Sequence, residues 1–91
     1  MAEVVVTIKI MPKSPDVDLE AIKIKATDVI AEQKGEVGKS SIEPMAFGLK
    51  SLSLIFIRDE SLGSVEDIEE KIKALEGVNS AEVTDVRRTI A

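Results

Sequence analysis

Alternating apolar and polar residues open the chain. Every second position from Val4 to Ile10 is aliphatic, while the positions between them include Thr7 and Lys9. A period of two is that of a β-strand with one buried face. We therefore predict a first strand over residues 4–11.

A helical period follows a break at Pro12 and Pro15. Asp16 or Asp18 can cap a helix whose first turn carries Glu20. We predict that this helix ends at Gly35, since glycine adopts the left-handed conformation at low cost. Its apolar positions recur at spacings of three and four and form one stripe, made of Leu19, Ile22, Ala26, Val29 and Ile30.

Two further extended stretches come next. The first covers residues 37–45 and contains Pro44, which lacks a donor for a β-ladder and therefore predicts an edge strand. The second covers residues 49–57 and is apolar on one face and partly apolar on the other, as in an interior strand.

The last third of the chain predicts a second helix and a final strand. Ser64 and Asp67 have the spacing of a capping box, and Gly77 marks the expected end of the helix. Residues 80–88 form the expected last strand. The apolar positions of these two elements are Val65, Ile68, Ile72 and Leu75 in the helix, then Ala81, Val83 and Val86 in the strand.

The element order is strand, helix, strand, strand, helix, strand. In a chain of this length that order is typical of the α+β ferredoxin-like βαββαβ sandwich, in which two helices cover one face of a four-stranded antiparallel sheet. The first and third strands are the most apolar, which places them at the centre of the sheet. We expect one domain over residues 1–91.

The amino-acid composition restricts the possible chemistry of the protein more than it restricts the possible folds. The 91 residues are 44% hydrophobic and 32% charged, with a net charge of −5, no cysteine and no histidine. An acidic balance disfavours nucleic acid and anionic membranes as partners. The missing thiol and imidazole disfavour nucleophilic catalysis and transition-metal binding, so we expect no catalytic residue, no metal and no cofactor. The opening apolar run is too short for a membrane span and lacks the basic start of a signal peptide, which predicts a cytoplasmic protein.

Two motif-like stretches have simpler interpretations. Residues 38–40, Gly-Lys-Ser, resemble the end of a phosphate loop, but Gln33 stands where the first glycine of that motif belongs, so we expect an exposed turn. The acidic residues between 59 and 70 could bind a hard cation, but most lie in the first turns of the second helix, where the helix dipole favours negative charge.

Phe47 is the more informative of the two phenylalanines. It stands between two strands in the segment Pro44-Met45-Ala46-Phe47-Gly48-Leu49, where a connection needs no aromatic side chain. One interpretation is a plug that folds over the open end of the sheet. The other is an anchor for a partner's pocket, flanked by Met45 and Leu49 and followed by Lys50 as a charge at the rim.

Two arginines close the last predicted strand. Arg87 and Arg88 are adjacent, so their side chains must point to opposite faces, and at least one is expected to be free for an outside anion or carboxylate. The alternative is a solvated charged end.

Four segments give the chain a likeness to a known family. It resembles the archaeal elongation factor 1-beta proteins over nearly its whole length, and four segments in the same order are more specific than any one. The resemblance implies a ferredoxin-like exchange domain that promotes GDP release from the GTPase elongation factor 1-alpha. The segments are residues 4–12 (VVVTIKIMP), 14–19 (SPDVDL), 43–50 (EPMAFGLK) and 83–88 (VTDVRR).

The resemblance also implies roles for single residues. The family's aromatic in the Pro-x-x-Phe-Gly segment enters a pocket on the GTPase, which transfers to Phe47, with Gly48 keeping the approach close. Eukaryotic relatives carry a lysine near the C-terminus that intrudes on the magnesium and phosphate region of the GTPase. Here residues 88–91 are Arg-Thr-Ile-Ala, so whether Arg87 or Arg88 takes that role, or magnesium leaves by another route, stays open.

The expected function is therefore exchange by contact, with no covalent chemistry. The expected partner is elongation factor 1-alpha, and the expected state is a monomer. The alternative is a small-molecule-binding regulatory or oligomerisation domain of the same fold, which predicts a homodimer and a ligand-dependent melting temperature. RNA binding is disfavoured because the first and third strands lack stacking aromatics.

Overall fold

Four strands and two α-helices make up the computed structural model. It describes residues 2–62 and 65–90, and the side chains of Ala2, Phe47, Thr89 and Ile90 lie outside the description. Single 3₁₀ turns occupy Ala46–Gly48 and Glu60–Leu62. The main elements are β1 (Ala2–Pro12), α1 (Leu19–Glu32), β2 (Glu36–Pro44), β3 (Lys50–Asp59), α2 (Glu66–Lys73) and β4 (Val78–Ile90).

The strands form one antiparallel sheet in the order β2-β3-β1-β4. Together with the two helices this is the ferredoxin-like α+β fold, as the element order predicts. The most apolar strands, β1 and β3, are central, and the strands that carry Pro44 and the acidic residues are at the edges. Both placements confirm the expectation from hydrophobicity.

One face of the sheet carries the core. The side chains of Ile8, Leu54 and Phe56 are completely buried, and the buried residues of both helices pack on the same face. The apolar residues that alternate along the strands and those that recur every three or four positions along the helices therefore pack together in a single hydrophobic layer. The helical members are Ile22, Ala26 and Ile30 from α1, and Ile68 and Ile72 from α2.

The two ends of α1 show which capping predictions hold. Asp18 is the N-cap, and its Oδ1 accepts a hydrogen bond of 3.0 Å from the Glu20 amide. At the other end the left-handed residue is Lys34, with φ 65°, so the assignment of that role to Gly35 is wrong. The Gly35 amide instead donates to Ile30 O at 2.8 Å, and a Cβ on Gly35 would lie 2.7 Å from Ile30 Cγ2. Gly35 is needed because of close packing.

The second helix is shorter than its pattern suggests. It begins at Glu66 after the N-cap Val65, and the predicted capping box cannot be judged because Ser64 lies outside the described residues. The helix ends at Lys73, so the expectation that Gly77 ends it is wrong. Gly77, with φ 86°, lies in the connection to β4.

The Gly-Lys-Ser stretch also differs from its expected form. Residues 38–40 belong to β2 and not to a turn, and the pairing with β3 shifts between Val37 and Lys39. This shift is a β-bulge, and a glycine is a common residue at such a site. The stretch is therefore part of an exposed edge strand.

Candidate partner-binding site

The connection between β2 and β3 is a short loop with its own hydrogen bonds. We call residues 45–49 the β2–β3 loop. The Met45 amide donates to Leu49 O at 2.6 Å, and the Leu49 amide donates to Ala46 O at 3.3 Å. The second bond closes a single 3₁₀ turn over Ala46–Gly48, and the first joins the two ends of the loop. The loop is therefore a defined turn and not an open connection.

Gly48 sets the direction of the chain in this loop. Its φ is +76°, a region that strains residues with a Cβ, and apart from its two chain neighbours no residue has an atom within 4 Å of the position that a Cβ would take. The glycine is therefore required by the backbone conformation and not by a lack of space. The open surroundings also show that the loop stands clear of the rest of the described protein at Gly48.

The described side chains around this loop are largely at the surface. Met45 is 36% exposed, Ala46 and Lys50 are exposed, and Leu49 is half-buried. The side chain of Phe47 lies outside the described residues, so both the anchor and the plug stay predictions. The backbone nevertheless places Phe47 inside the 3₁₀ turn, next to Gly48.

The two predicted arginines lie on opposite faces of the sheet, as their adjacency requires. Arg87 pairs with Val5, on the face that the helices leave open. Arg88 pairs with Val4, on the face that carries the core. We call this part of the molecule, where β4 ends beside the start of β1, the arginine end.

Both guanidinium groups have partners within the protein. Arg87 Nε lies 2.9 Å from Asp85 Oδ2, and Arg88 pairs with the Glu60 carboxylate. The carboxylates stand two residues away on the same strand and directly after β3, and the expectation that at least one arginine is free to meet an outside anion or carboxylate stays a prediction. The two arginine side chains are 79% and 71% exposed, and ion pairs this exposed contribute only about 0–1 kcal/mol. An outside carboxylate or phosphate can replace them at low cost.

The β2–β3 loop and the arginine end lie at opposite ends of the sheet. Lys50 begins β3, whereas Arg58, near the end of β3, pairs with the same Val4 that pairs with Arg88. A rise of about 3.3 Å per residue puts the Cα atoms of Lys50 and Arg58 roughly 26 Å apart. The structure therefore brings Met45, Gly48, Leu49 and Lys50 together and separates them from both arginines.

Arg58 was not among the residues expected from the sequence, and it supports the arginine end from within. Arg58 is only 6% exposed, and its Nε donates to Gln33 O at 3.0 Å. Because Gln33 caps the end of α1, this bond joins the helix to β3 and places a cation at the negative end of the helix dipole. The signal was available, since Arg58 continues the buried alternation of Leu54 and Phe56.

An adjacent carboxylate also has a perturbed acidity. The Ser61 amide donates to Asp59 Oδ1 at 2.8 Å, and together with a bond from the Ser61 hydroxyl it lowers the pKa of the Asp59 carboxyl below its usual value. A lowered pKa keeps this group ionised throughout the neutral range. Its stabilising contribution is present above the ordinary pKa of an aspartate and is lost as the pH falls from there through the lowered value.

The acidic cluster does not gather into a metal site in the part of the chain that is described. No group of three or more potential ligands meets there. One member has a structural task, because Glu69 Oε2 accepts a hydrogen bond of 2.9 Å from the Val83 amide and so joins α2 to β4. Neither helix in residues 2–62 and 65–90 is long and apolar enough to cross a membrane.

The exposed Met45 of the loop and the two exposed arginines at the other end of the sheet are described candidates for contact with another macromolecule. Comparison with known proteins gives the class. Residues 5–89 match the family described as the EF-1 guanine nucleotide exchange domain. The chain belongs to this family, the elongation factor 1-beta exchange factors, and its role is guanine-nucleotide exchange in translation elongation.

Curated relatives agree over almost their full length. The chain is 48% identical to elongation factor 1-beta of Methanothermobacter thermautotrophicus over 88 residues, which are 97% of this chain and 98% of that protein. It is 50% identical to elongation factor 1-beta of Methanobrevibacter smithii over the same shares. The resemblance to the archaeal family is confirmed.

Solved structures show the fold alone. The ACT domain from the GTP pyrophosphokinase of Chlorobium tepidum matches with a TM-score of 0.59 at 17% identity, over 89% of this chain and 97% of that domain. The P2 domain of the Thermotoga maritima chemotaxis kinase CheA, solved in complex with the response regulator CheY, matches with a TM-score of 0.64 at 13% identity, over 96% of this chain and 99% of that one. Identities this low carry no functional conclusion.

Proposed function

We propose that this protein accelerates GDP release from elongation factor 1-alpha by binding the nucleotide-free GTPase more tightly than the nucleotide-loaded one. The proposal rests on the family membership, and one structural observation supports it. The β2–β3 loop carries the exposed apolar Met45, and the space around Gly48 in this loop is open. Such a loop presents side chains to a partner without unfolding the sandwich. The ribosomal role of that GTPase favours the cytoplasm.

The thermodynamics of the proposal are those of reciprocal coupling. The factor by which the nucleotide weakens binding of this protein is the factor by which this protein weakens binding of the nucleotide. Each tenfold change corresponds to about 1.4 kcal/mol. A conformational change of the GTPase weakens its binding of GDP, so no covalent step and no cofactor is part of the proposal.

The two ends of the molecule have separate tasks in this proposal. Phe47 anchors the β2–β3 loop in a pocket of the GTPase, with Lys50 at its rim. The roughly 26 Å between that loop and the arginine end excludes a shared pocket. Arg87 and Arg88 therefore act at a second place on the GTPase. Their present partners, Asp85 and Glu60, are carboxylates, and the acidic ligands of magnesium that the arginines would contact on the GTPase have the same chemistry.

A stopped-flow measurement of fluorescent GDP release tests the anchor. We predict that Phe47→Ala slows stimulated release by at least about tenfold, which is the effect of losing a buried aromatic anchor. The thermal melting curve should not change. The control is Ile57→Thr, which changes an exposed aliphatic side chain at the opposite end of β3 from the loop and should leave release as it is.

Two outcomes would count against the proposal. Unchanged release by a folded Phe47→Ala variant would refute the anchor. A specific homodimer in sedimentation, combined with a ligand-dependent melting temperature and no stimulation of GDP release, would favour the regulatory-domain alternative. The exchange proposal predicts a monomer that binds the GTPase.

A further inference from the structure

A groove lies beside the β2–β3 loop, between that loop and the start of α1. Its volume is about 260 Å³. Pro12 at the end of β1 and Ile42 on β2 contribute to its apolar lining, together with Val17 and Leu19 from the β1–α1 connection and the first helical turn. Gly48 and Lys50 complete the side next to the loop, so the groove is continuous with the proposed anchor site.

Opposite charges border the apolar lining. Glu20 lies on the helix side and Lys50 on the strand side, and neither has an ion pair among the described residues. Asp18 also lines the groove, but its Oδ1 already accepts the Glu20 amide. The helix side therefore offers unneutralised negative charge directly above an aliphatic surface.

The exposure of Ile42 is informative. This side chain is 45% exposed although it lies in the groove, and an aliphatic residue is not needed there to hold an edge strand. Met45, at the start of the loop, is 36% exposed. Together they extend the apolar surface of the loop into the groove, which is a form typical of the central part of a protein interface.

Two stretches of the chain, residues 12–20 and 42–50, line this groove. All its lining residues except Glu20 and Ile42 belong to residues 4–12, 14–19 and 43–50, the segments that carry the likeness to the archaeal family. Small-molecule sites usually measure about 300–1,000 Å³ and enclose their ligand. This groove is partly open and does not enclose a ligand in that way, which is compatible with a protein side chain as its occupant.

We infer that this groove is a second contact for elongation factor 1-alpha, occupied by an aliphatic side chain of the GTPase with a lysine or arginine next to it. The aliphatic side chain contacts Ile42 and Val17, and the basic residue pairs with Glu20. This inference rests on the proposed function and adds a contact surface that accompanies the loop. It makes the β2–β3 loop one half of a two-part interface at this end of the molecule.

Matched isoleucine variants test the groove. Ile42→Thr keeps a β-branched residue on an edge strand and removes apolar surface from the groove. Ile57→Thr makes the same change on β3 at a residue of similar exposure, 38%, on the open face away from the groove. We expect Ile42→Thr to weaken binding to the nucleotide-free GTPase by about five- to tenfold, consistent with losing part of one buried aliphatic side chain, and Ile57→Thr to leave it unchanged. Calorimetry measures both, and melting curves report their folding.

A charge variant tests the chemistry of the occupant. Glu20→Lys should weaken binding severalfold at low salt, and the difference from the unmodified protein should shrink as salt is added, because an exposed pair is screened. Equal affinities of Ile42→Thr, Ile57→Thr and the unmodified protein would overturn the groove while leaving the exchange proposal intact. Tighter binding by Glu20→Lys would overturn the basic occupant. Failure of the unmodified protein to bind the GTPase would overturn both proposals.

Discussion

Gly48 and Gly38 are both exposed glycines next to β-structure, but they serve different purposes. Gly48 has φ +76° and open surroundings, whereas Gly38 lies in the bulge of β2, outside the positive-φ region, with Ile55 O 4.0 Å from the position of a Cβ. An added methyl group therefore costs conformational energy at Gly48 and almost nothing at Gly38. The sequence alone does not separate these two cases.

We predict that Gly48→Ala destabilises the protein by about 1 kcal/mol, because an L-residue is strained at positive φ. For a domain of this size that loss lowers the melting temperature by roughly 4–8 °C. Gly38→Ala should change it little or raise it slightly, because alanine restricts the unfolded chain. Differential scanning calorimetry compares the two, and an equal loss in both variants would contradict the assignment.

At the scale of elements, the end of α1 has a lysine where a glycine is usual and a glycine at the next position. Lys34 adopts the left-handed conformation that glycine prefers, and its amide donates to Ala31 O at 3.0 Å. Gly35 follows and packs against Ile30 and Phe56. This is the Schellman arrangement, with the glycine one position later than usual.

We predict opposite effects at these neighbours. Lys34→Gly should stabilise the protein by about 0.5–1 kcal/mol because it removes the strain of a side chain at positive φ. Gly35→Ala should destabilise it by more than about 1 kcal/mol because the new methyl group meets a stiff, β-branched Ile30 in a packed core. Urea unfolding of both variants measures the difference, and stabilisation by Gly35→Ala would contradict the packing argument.

Element types and their order follow from the sequence because each segment has one clear apolar period. The ends of elements are less predictable because they depend on contacts between distant segments. A Cβ on Gly35 would lie 2.7 Å from Ile30 and 3.3 Å from Phe56 of β3, and α2 ends at Lys73 although its apolar spacing continues to Leu75. A local pattern contains neither fact.

At the scale of the whole molecule, the sandwich measures 42 Å along its longest axis, and the two groups of candidate residues lie at opposite ends of its sheet. The distance between Phe47 and the two arginines does not follow from the sequence, since only pairing along β1 and β3 shows that the loop and the arginine end lie at opposite ends of the sheet. Residue types on the surface could be chosen from the sequence. Their distances could not.

This separation predicts additive effects on exchange. Changes more than about 10 Å apart with no shared partner usually combine within about 0.5 kcal/mol. We therefore expect Phe47→Ala and the Arg87→Ala/Arg88→Ala pair to slow stimulated GDP release by factors that multiply in the combined variant. A double-mutant cycle on release rates measures this. A coupling above about 1 kcal/mol would show that the two ends act as one unit.

The contact between Glu69 and Val83 has a further consequence for crowded solutions. A free sheet edge is a template on which strands of other molecules add, and this protein has a long one in β4. The pairing of β4 with β1 is irregular between Thr7 and Ile8, and beside it the Glu69 carboxylate occupies the Val83 amide. One backbone donor of β4 is therefore already bound by a side chain of the same molecule and does not pair with an added strand.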